Sequence, residues 1–229
     1  MSSDQMTTEV SPSSSGEASK ARESYSQRET RQDIHVVDFF KGKTGGYFVD
    51  VGAYDGITMS NSYLLEKRLG WGGVCVEPDP LAFQTLKTIR DQSVTKMFCC
   101  AAFDDSGAEL EFVQASKSRG LLSGLVKTID KYQDVLTDTK IKVPTMGLTK
   151  ILDEAGAPSV MDYLSLDTEG SEFVILRALD MQKYKFRFVS VEHNFVYPKR
   201  ALIRGLMERS GYVYIIENNW DDYYIYPGI

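Results

Sequence analysis

Four short polar segments each follow an apolar run and carry residue types that bind ligands or move protons. In Asp50-Val-Gly-Ala-Tyr-Asp-Gly56, Gly52 permits a tight turn and close backbone approach, and Asp55 and Gly56 extend that turn. Ser60 and Asn61, just beyond, suit the cap of a following helix. Glu77 ends the next apolar run, where a carboxylate accepts hydrogen bonds from both hydroxyls of a ribose. Ser165-Leu-Asp-Thr-Glu-Gly-Ser-Glu172 sets Asp167 and Glu169 beside Gly170, and folding does not need two acids at such a turn; Glu172 reads as an acid favoured by a helix dipole. Glu192-His193-Asn194 adds an imidazole, a proton acceptor suited to neutral pH. The other histidine, His35, reads as structural. Taken singly, the four segments have plain alternatives: a turn, a solvated strand end, a helix cap and a packed histidine.

The elements between them must bring these residues together. Ile34, Val37 and Phe40 recur at helical spacing with Gly42 as a stop. Tyr47 to Val51 and Gly73 to Glu77 read as buried strands around a helix from Ser60 to Leu69, a βαβ unit. Asp79 and Pro80 open a helix carrying Phe83, Leu86 and Ile89, and Thr95 to Ala102 reads as a third strand. Residues 108 to 145 interrupt the alternation: Glu109 to Val113 and Lys140 to Val143 read as strands around a polar stretch from Ser116 to Gly124, expected to form a lid. A helix from Thr149 to Glu154, a strand from Met161 to Asp167, a helix from Ser171 to Leu179 and a strand from Phe186 to Glu192 restore it. A helix opened by Pro198 and stopped by Gly211, then a hairpin of Tyr212 to Ile216 with Tyr223 to Tyr226, complete an α/β fold of seven core strands, the last antiparallel. Ligands of such sheets bind outside the carboxyl ends of the central strands, where all four polar segments fall.

Composition narrows the partner. The chain has 229 residues with 26 basic and 32 acidic side chains, a net charge of −6, which argues against holding a nucleic acid by bulk charge. Residues 1–30 contain no Trp, Phe, Leu or Ile and are expected to form a disordered Ser-rich tail or linker ahead of a single domain over 31–229. Cys75, Cys99 and Cys100 lie in apolar runs without disulfide or zinc spacing, which fits a reducing compartment and a cytoplasmic location. No apolar run reaches the length of a membrane span.

Together with Leu64-Leu-Glu-Lys-Arg-Leu-Gly-Trp71, Pro78 and Ser123-Gly124, these segments resemble the FkbM family of S-adenosylmethionine-dependent methyltransferases, from about Tyr47 to Tyr226. Tyr54 stands where that family commonly has Asn. The resemblance implies a class I, Rossmann-like methyltransferase fold: a mostly parallel seven-stranded sheet with helices on both faces and an inserted β-hairpin or lid. It implies O-methylation of a sugar, a glycan or another polyhydroxylated small molecule with S-adenosyl-L-methionine as cofactor. The cofactor residues it implies are Asp50, Gly52, Ala53, Tyr54, Asp55, Ser60, Asn61, Glu77, Pro78 and Asp167, with Asp104 or Asp105 at the adenine. Asp167 and Glu169 flank the reacting groups, and His193 is the expected base, since an alcohol must lose its proton during or after attack. A homodimer and fusion to glycosyltransferase domains are both compatible with this chain.

Three other readings compete. A divalent metal such as Mg²⁺, held by Asp167, Glu192 and Asn194, would lower the hydroxyl pKa, although the metal-free route is preferred. A nicotinamide oxidoreductase would use Tyr63 and Lys67, but these lie too early in the chain and no GxGxxG is present. A catalytically inactive methyltransferase fold serving as a binding module would have no need of Glu77, Asp167 and His193.

Overall fold

Alternation along the strands sorts the side chains onto two faces, and that sorting decides which acids meet. The computed structural model describes residues 23–116, 120–129, 131 and 133–229. Its regular elements are α1 (Gln32–Phe39), β1 (Tyr47–Val51), α2 (Tyr63–Leu69), β2 (Gly72–Val76), α3 (Pro80–Ile89), β3 (Thr95–Phe98), β4 (Ala101–Phe103), β5 (Glu109–Gln114), β6 (Gly124–Leu125), β7 (Thr139–Gly147), α4 (Leu148–Ala155), β8 (Val160–Leu166), α5 (Glu172–Ala178), β9 (Lys185–Glu192), α6 (Lys199–Arg209), β10 (Val213–Asn218) and β11 (Asp221–Ile225).

Seven strands form one sheet in the order β10-β11-β9-β8-β1-β2-β3. Only β11 runs against the rest, pairing antiparallel with both β9 and β10. This is the class I, Rossmann-like methyltransferase architecture. The chain leaves β1 toward β2 and β3, then returns on its other side with β8 and β9, so the crevice at the carboxyl ends opens between β1 and β8.

On one face Val49, Val51, Leu164, Leu166, Val189 and Val191 pack against α4, α5 and α6. On the other, Phe48, Cys75, Tyr163 and Phe188 pack against α1, α2 and α3. The polar strand residues share the second face. Asp50 stands beside Ser165 and Ser165 beside Ser190, and the Tyr163 and Ser190 hydroxyls meet at 2.7 Å beneath them.

The interruption after β3 is a second sheet, ordered β4-β7-β5-β6. The expected single strand from Thr95 to Ala102 is therefore two: the chain leaves the main sheet after Phe98 and enters the second at Ala101. Leu125, Val143, Phe112 and Phe103 give this sheet its own small core.

Residues 23–30, assigned by composition to the tail, pack onto the domain. Asp33 accepts hydrogen bonds from the Ser24 hydroxyl and from the backbone N–H groups of Tyr25 and Ser26, while the Ser26 hydroxyl accepts from the Asp33 N–H. The Tyr25 ring lies 4.7 Å from that of Tyr63. Hydrogen bonds order this segment where apolar content does not. The remaining 22 residues of the expected tail lie outside the described residues. No helix among the described residues is long and apolar enough to cross a membrane.

Candidate functional site

One cleft runs along the carboxyl ends of β2, β1, β8 and β9, with the second sheet as its far wall. At the β1 end the chain turns through Gly52, whose φ is +94° and where a Cβ would stand 1.8 Å from the Asp167 carbonyl oxygen. Only glycine lets this turn lie against β8. Four non-glycine residues with left-handed backbones, Tyr54, Met59, Glu169 and Asn194, also line the cleft. Strain of this kind persists where surrounding structure holds it, and such residues gather at ligand sites.

Glu77, just past β2, anchors the first end. One carboxylate oxygen accepts the Tyr54 N–H at 2.8 Å and the other the Asp79 N–H at 2.7 Å, leaving a lone pair on each for a ligand. Burial pushes its pKa up to about 8, against the pull of these two donors. An acid raised in this way keeps its proton in the folded state while the unfolded chain has lost it, so stability falls as pH rises toward about 8. Between about pH 6 and about pH 8.5 the ligand-free protein is expected to lose about 2 kcal/mol from this group. Thermal melts of Glu77→Gln should show a smaller decline over that range; equal declines would contradict the assignment.

Asp50 is buried on the same face, its carboxylate taking the Ser62 hydroxyl, and burial raises its pKa against the charge of Arg90. Ser60 lines the cleft, but its hydroxyl serves the loop: it accepts from the Ser62 and Tyr63 N–H groups and from Arg90. Asn61 donates to Ser165 at 3.0 Å, while its Oδ1 is buried with no hydrogen-bond partner among the described residues.

The second end is acidic, and strand register explains why. Leu166 pairs with Val191, so the next residues, Asp167 and Glu192, come side by side on the face away from α6; Asp221 of β11 pairs with Glu192 and extends the row. Glu169 joins from the turn before α5, and oxygens of Asp167, Glu169 and Glu192 lie within 4.8 Å of one another. Burial and the Glu172 charge push Asp167 up to about 7, while a proton shared with Glu192 draws it back. Burial and the charges of Asp167 and Glu169 raise Glu192 well above the carboxylate range. Glu172 does what its position implied, accepting the N–H groups of Thr168 and Gly170.

Of the residues singled out in the sequence, Asp50, Gly52, Ala53, Tyr54, Ser60, Asn61, Glu77, Pro78, Asp167, Glu169, Glu192 and Asn194 line this cleft. Others do not. Asp55 folds back to accept the Ile57 and Thr58 N–H groups and shapes the loop. Asp104 is carried off with the second sheet and pairs with Arg177 at the surface, 3.1 Å away.

His193 misses the cleft because one residue beyond Glu192 the side chain flips to the α6 face. There Nδ1 accepts the Phe195 N–H at 3.0 Å, which leaves Nε2 to carry the proton, 3.6 Å from Asp222. Burial lowers its pKa further. Neither nitrogen faces the cleft, so the ring is not placed to take a proton there. His193→Gln is expected to lower Tm yet keep kcat/KM within about threefold, whereas loss of a general base costs about 10²–10⁴.

Asn194 spends its amide on Glu169 and Lys131, so it does not join Asp167 and Glu192 as a third oxygen ligand; Glu169 takes that place. Tyr63 and Lys67 lie outside the cleft, the ring on Tyr25 and the ammonium on Glu66. Gln27, Phe112 and Leu122 line it without having stood out in the sequence; Trp220, in the aromatic C-terminal segment, lines it as well. The alternating pattern of β5 placed Phe112 facing inward, but nothing local marked Gln27 or Leu122.

A family model described as the methyltransferase FkbM domain matches residues 50–214. No curated protein matches the chain. Among solved structures, the methyltransferase FkbM from Methylobacillus flagellatus is 14% identical with a TM-score of 0.49, covering 92% of this chain and 58% of its own. This chain thus spans little more than half of that protein. The precorrin-6y C5,15-methyltransferase from Geobacter metallireducens is 11% identical (TM-score 0.46, 89% of this chain and 92% of that one). The N-terminal domain of human METTL16 in complex with SAH is 14% identical (TM-score 0.43, 85% and 67%). With most of its length matched by the family model, the chain belongs to the FkbM family of S-adenosylmethionine-dependent methyltransferases.

Proposed function

We propose that this chain transfers a methyl group from S-adenosylmethionine to a hydroxyl oxygen of a sugar, a glycan or another polyhydroxylated small molecule. The observation that carries the reading is the separation of two unlike ends in one cleft. Glu77 at β2 stands two strands from Asp167 at β8 and three from Glu192 at β9, about 10 to 14 Å at about 4.8 Å per strand. That span leaves room for a nucleoside over β1 and β2 and an acceptor over β8 and β9.

The residues fit the cofactor. Asn61 Oδ1, a buried acceptor without a partner among the described residues, suits an ammonium donor, and Gly52 and Ala53 present bare backbone to a ligand. Glu77 would accept both ribose hydroxyls. The bound cofactor supplies a methyl group already activated on a sulfonium. For transfer, a C–O bond forms as the C–S bond breaks, its electron pair stays on sulfur, and the hydroxyl proton must leave. The carboxylates of the acidic row face the end where that proton is released, and they also accept hydrogen bonds from several hydroxyls of one acceptor. Trp220 adds an aromatic wall suited to a sugar face. The acidic row and the net charge oppose a phosphate backbone.

The test combines calorimetric binding of S-adenosylhomocysteine with transfer of tritiated methyl from cofactor to panels of free sugars, sugar nucleotides, glycans and RNA. Label appearing as an O-methyl ether on a sugar hydroxyl is expected. Transfer to RNA alone would overturn the acceptor class, and binding without transfer to any panel would favour the inactive binding module.

A further inference from the structure

We infer that Asp167, Glu169 and Glu192 form a binding site for one divalent cation at the acceptor end of the cleft. The donor set differs from Asp167, Glu192 and Asn194, because the Asn194 carbonyl oxygen accepts from Lys131 while its amide nitrogen donates to Glu169. An acidic cluster alone would not imply a site. Here Glu192 is only 4% exposed, yet its Oε2 has no hydrogen-bond partner among the described residues, and the residue lines the cleft beside Asp167. A buried carboxylate oxygen left unpaired is costly unless something positively charged completes it.

The geometry suits a hard cation. At a metal–oxygen distance of about 2.4 Å, opposite ligands stand about 4.8 Å apart and adjacent ones about 3.4 Å. The three carboxylates offer oxygens within 4.8 Å of one another. With only carboxylate donors and neither sulfur nor imidazole, the set favours Mg²⁺, Mn²⁺ or Ca²⁺ over softer metals. The ligands are also held in place. Register sets Asp167 beside Glu192, and Glu169 sits at φ 54° next to Gly170, where a Cβ would strike the Thr128 carbonyl at 2.2 Å. The neighbouring acids are already engaged: Asp221 accepts from Gln32, and Glu172 holds its own turn.

The role of the cation rests on the methyl-transfer reading: it would bind the acceptor hydroxyl and lower its pKa, so that the proton passes to solvent. Its binding does not depend on that reading. The test titrates the full chain with Mn²⁺, followed by electron paramagnetic resonance, with S-adenosylhomocysteine binding measured in parallel by calorimetry. One Mn²⁺ per chain, displaced by Mg²⁺ and bound at least tenfold more weakly by Glu192→Gln, is expected. Thermal melts report whether that variant folds, and Glu169→Gln replaces it if it does not. Wild type that binds S-adenosylhomocysteine but no saturating Mn²⁺, or variants that bind Mn²⁺ as tightly as wild type, would overturn the site. Mn²⁺ binding without S-adenosylhomocysteine binding would instead sink the methyl-transfer reading and leave the cation site standing.

Discussion

Asp167→Asn is expected to reduce kcat by about 10²–10⁴ while S-adenosylhomocysteine affinity changes less than about tenfold. The carboxylate stands at the centre of the acidic end, beside Glu192 by register and within reach of Glu169. Transfer to a hydroxyl needs that proton managed, whether a carboxylate accepts it or a carboxylate-bound cation acidifies it. The amide keeps the size and shape of the acid but does not accept the proton and, being neutral, holds a cation much more weakly. Asp167 is half-buried at the end of β8, and its main chain carries the carbonyl against which Gly52 turns, so replacing only the side-chain oxygen leaves the loop geometry in place. Single-turnover rates with labelled cofactor, beside calorimetry, separate the two quantities. A variant that turns over within tenfold of wild type would remove Asp167 from the chemistry.

The largest loss of stability is expected from Arg90→Met, about 3–5 kcal/mol, the usual cost of stripping one partner from a buried charge pair. The Arg90 side chain has no solvent exposure. Nε donates to the Gly56 carbonyl at 2.8 Å, and the terminal nitrogens donate to the hydroxyls of Ser60 and Ser62 at 2.8 and 2.7 Å and to Glu66 at 3.3 Å, with Asp50 at 3.9 Å. One guanidinium thus ties α3, α2, β1 and the whole loop from Gly56 to Ser62. Met fills the space but leaves Asp50 buried beside no cation and Glu66 with only the Lys67 ammonium. For a chain of this size roughly 2–4 °C of Tm is lost per kcal/mol. Cofactor affinity should fall too, because Asn61 lies in the loop that Arg90 holds. A Tm within about 2 °C of wild type would show that the network is not needed.

The acids of the cleft were legible because each ends an apolar run at the edge where such sheets bind ligands. Asp50, Glu77 and Asp167 could be placed at the carboxyl ends of strands from local pattern alone. Asp104 and Asp55 were misplaced for two different reasons. Asp104 was assigned to the continuation of a strand that ends at Phe98, and the break at Cys99 and Cys100 depends on a second sheet built from residues forty positions further on. Asp55 has a free turn-former's choice between ligand and its own backbone, and the backbone wins at 2.7 Å. Nothing in the sequence marks Arg90, since a lone arginine after a helix looks like any solvated charge until the fold buries it.

What the amino-acid order determined by itself is the set of elements and the edge at which they end, because hydrophobic period and capping residues act over a few neighbours. Facing and pairing were decided by tertiary structure. Whether a residue at a strand end looks into the cleft or onto α6 depends on a period of two counted from the core, so Glu192 reaches the acids while His193, one position on, packs against Asp222. Which acids become neighbours depends on strand order and register, and these are set by contacts between segments far apart in the chain. The union of Asp167 with Glu192, and the folding of residues 24 to 30 over the domain, are of this second kind.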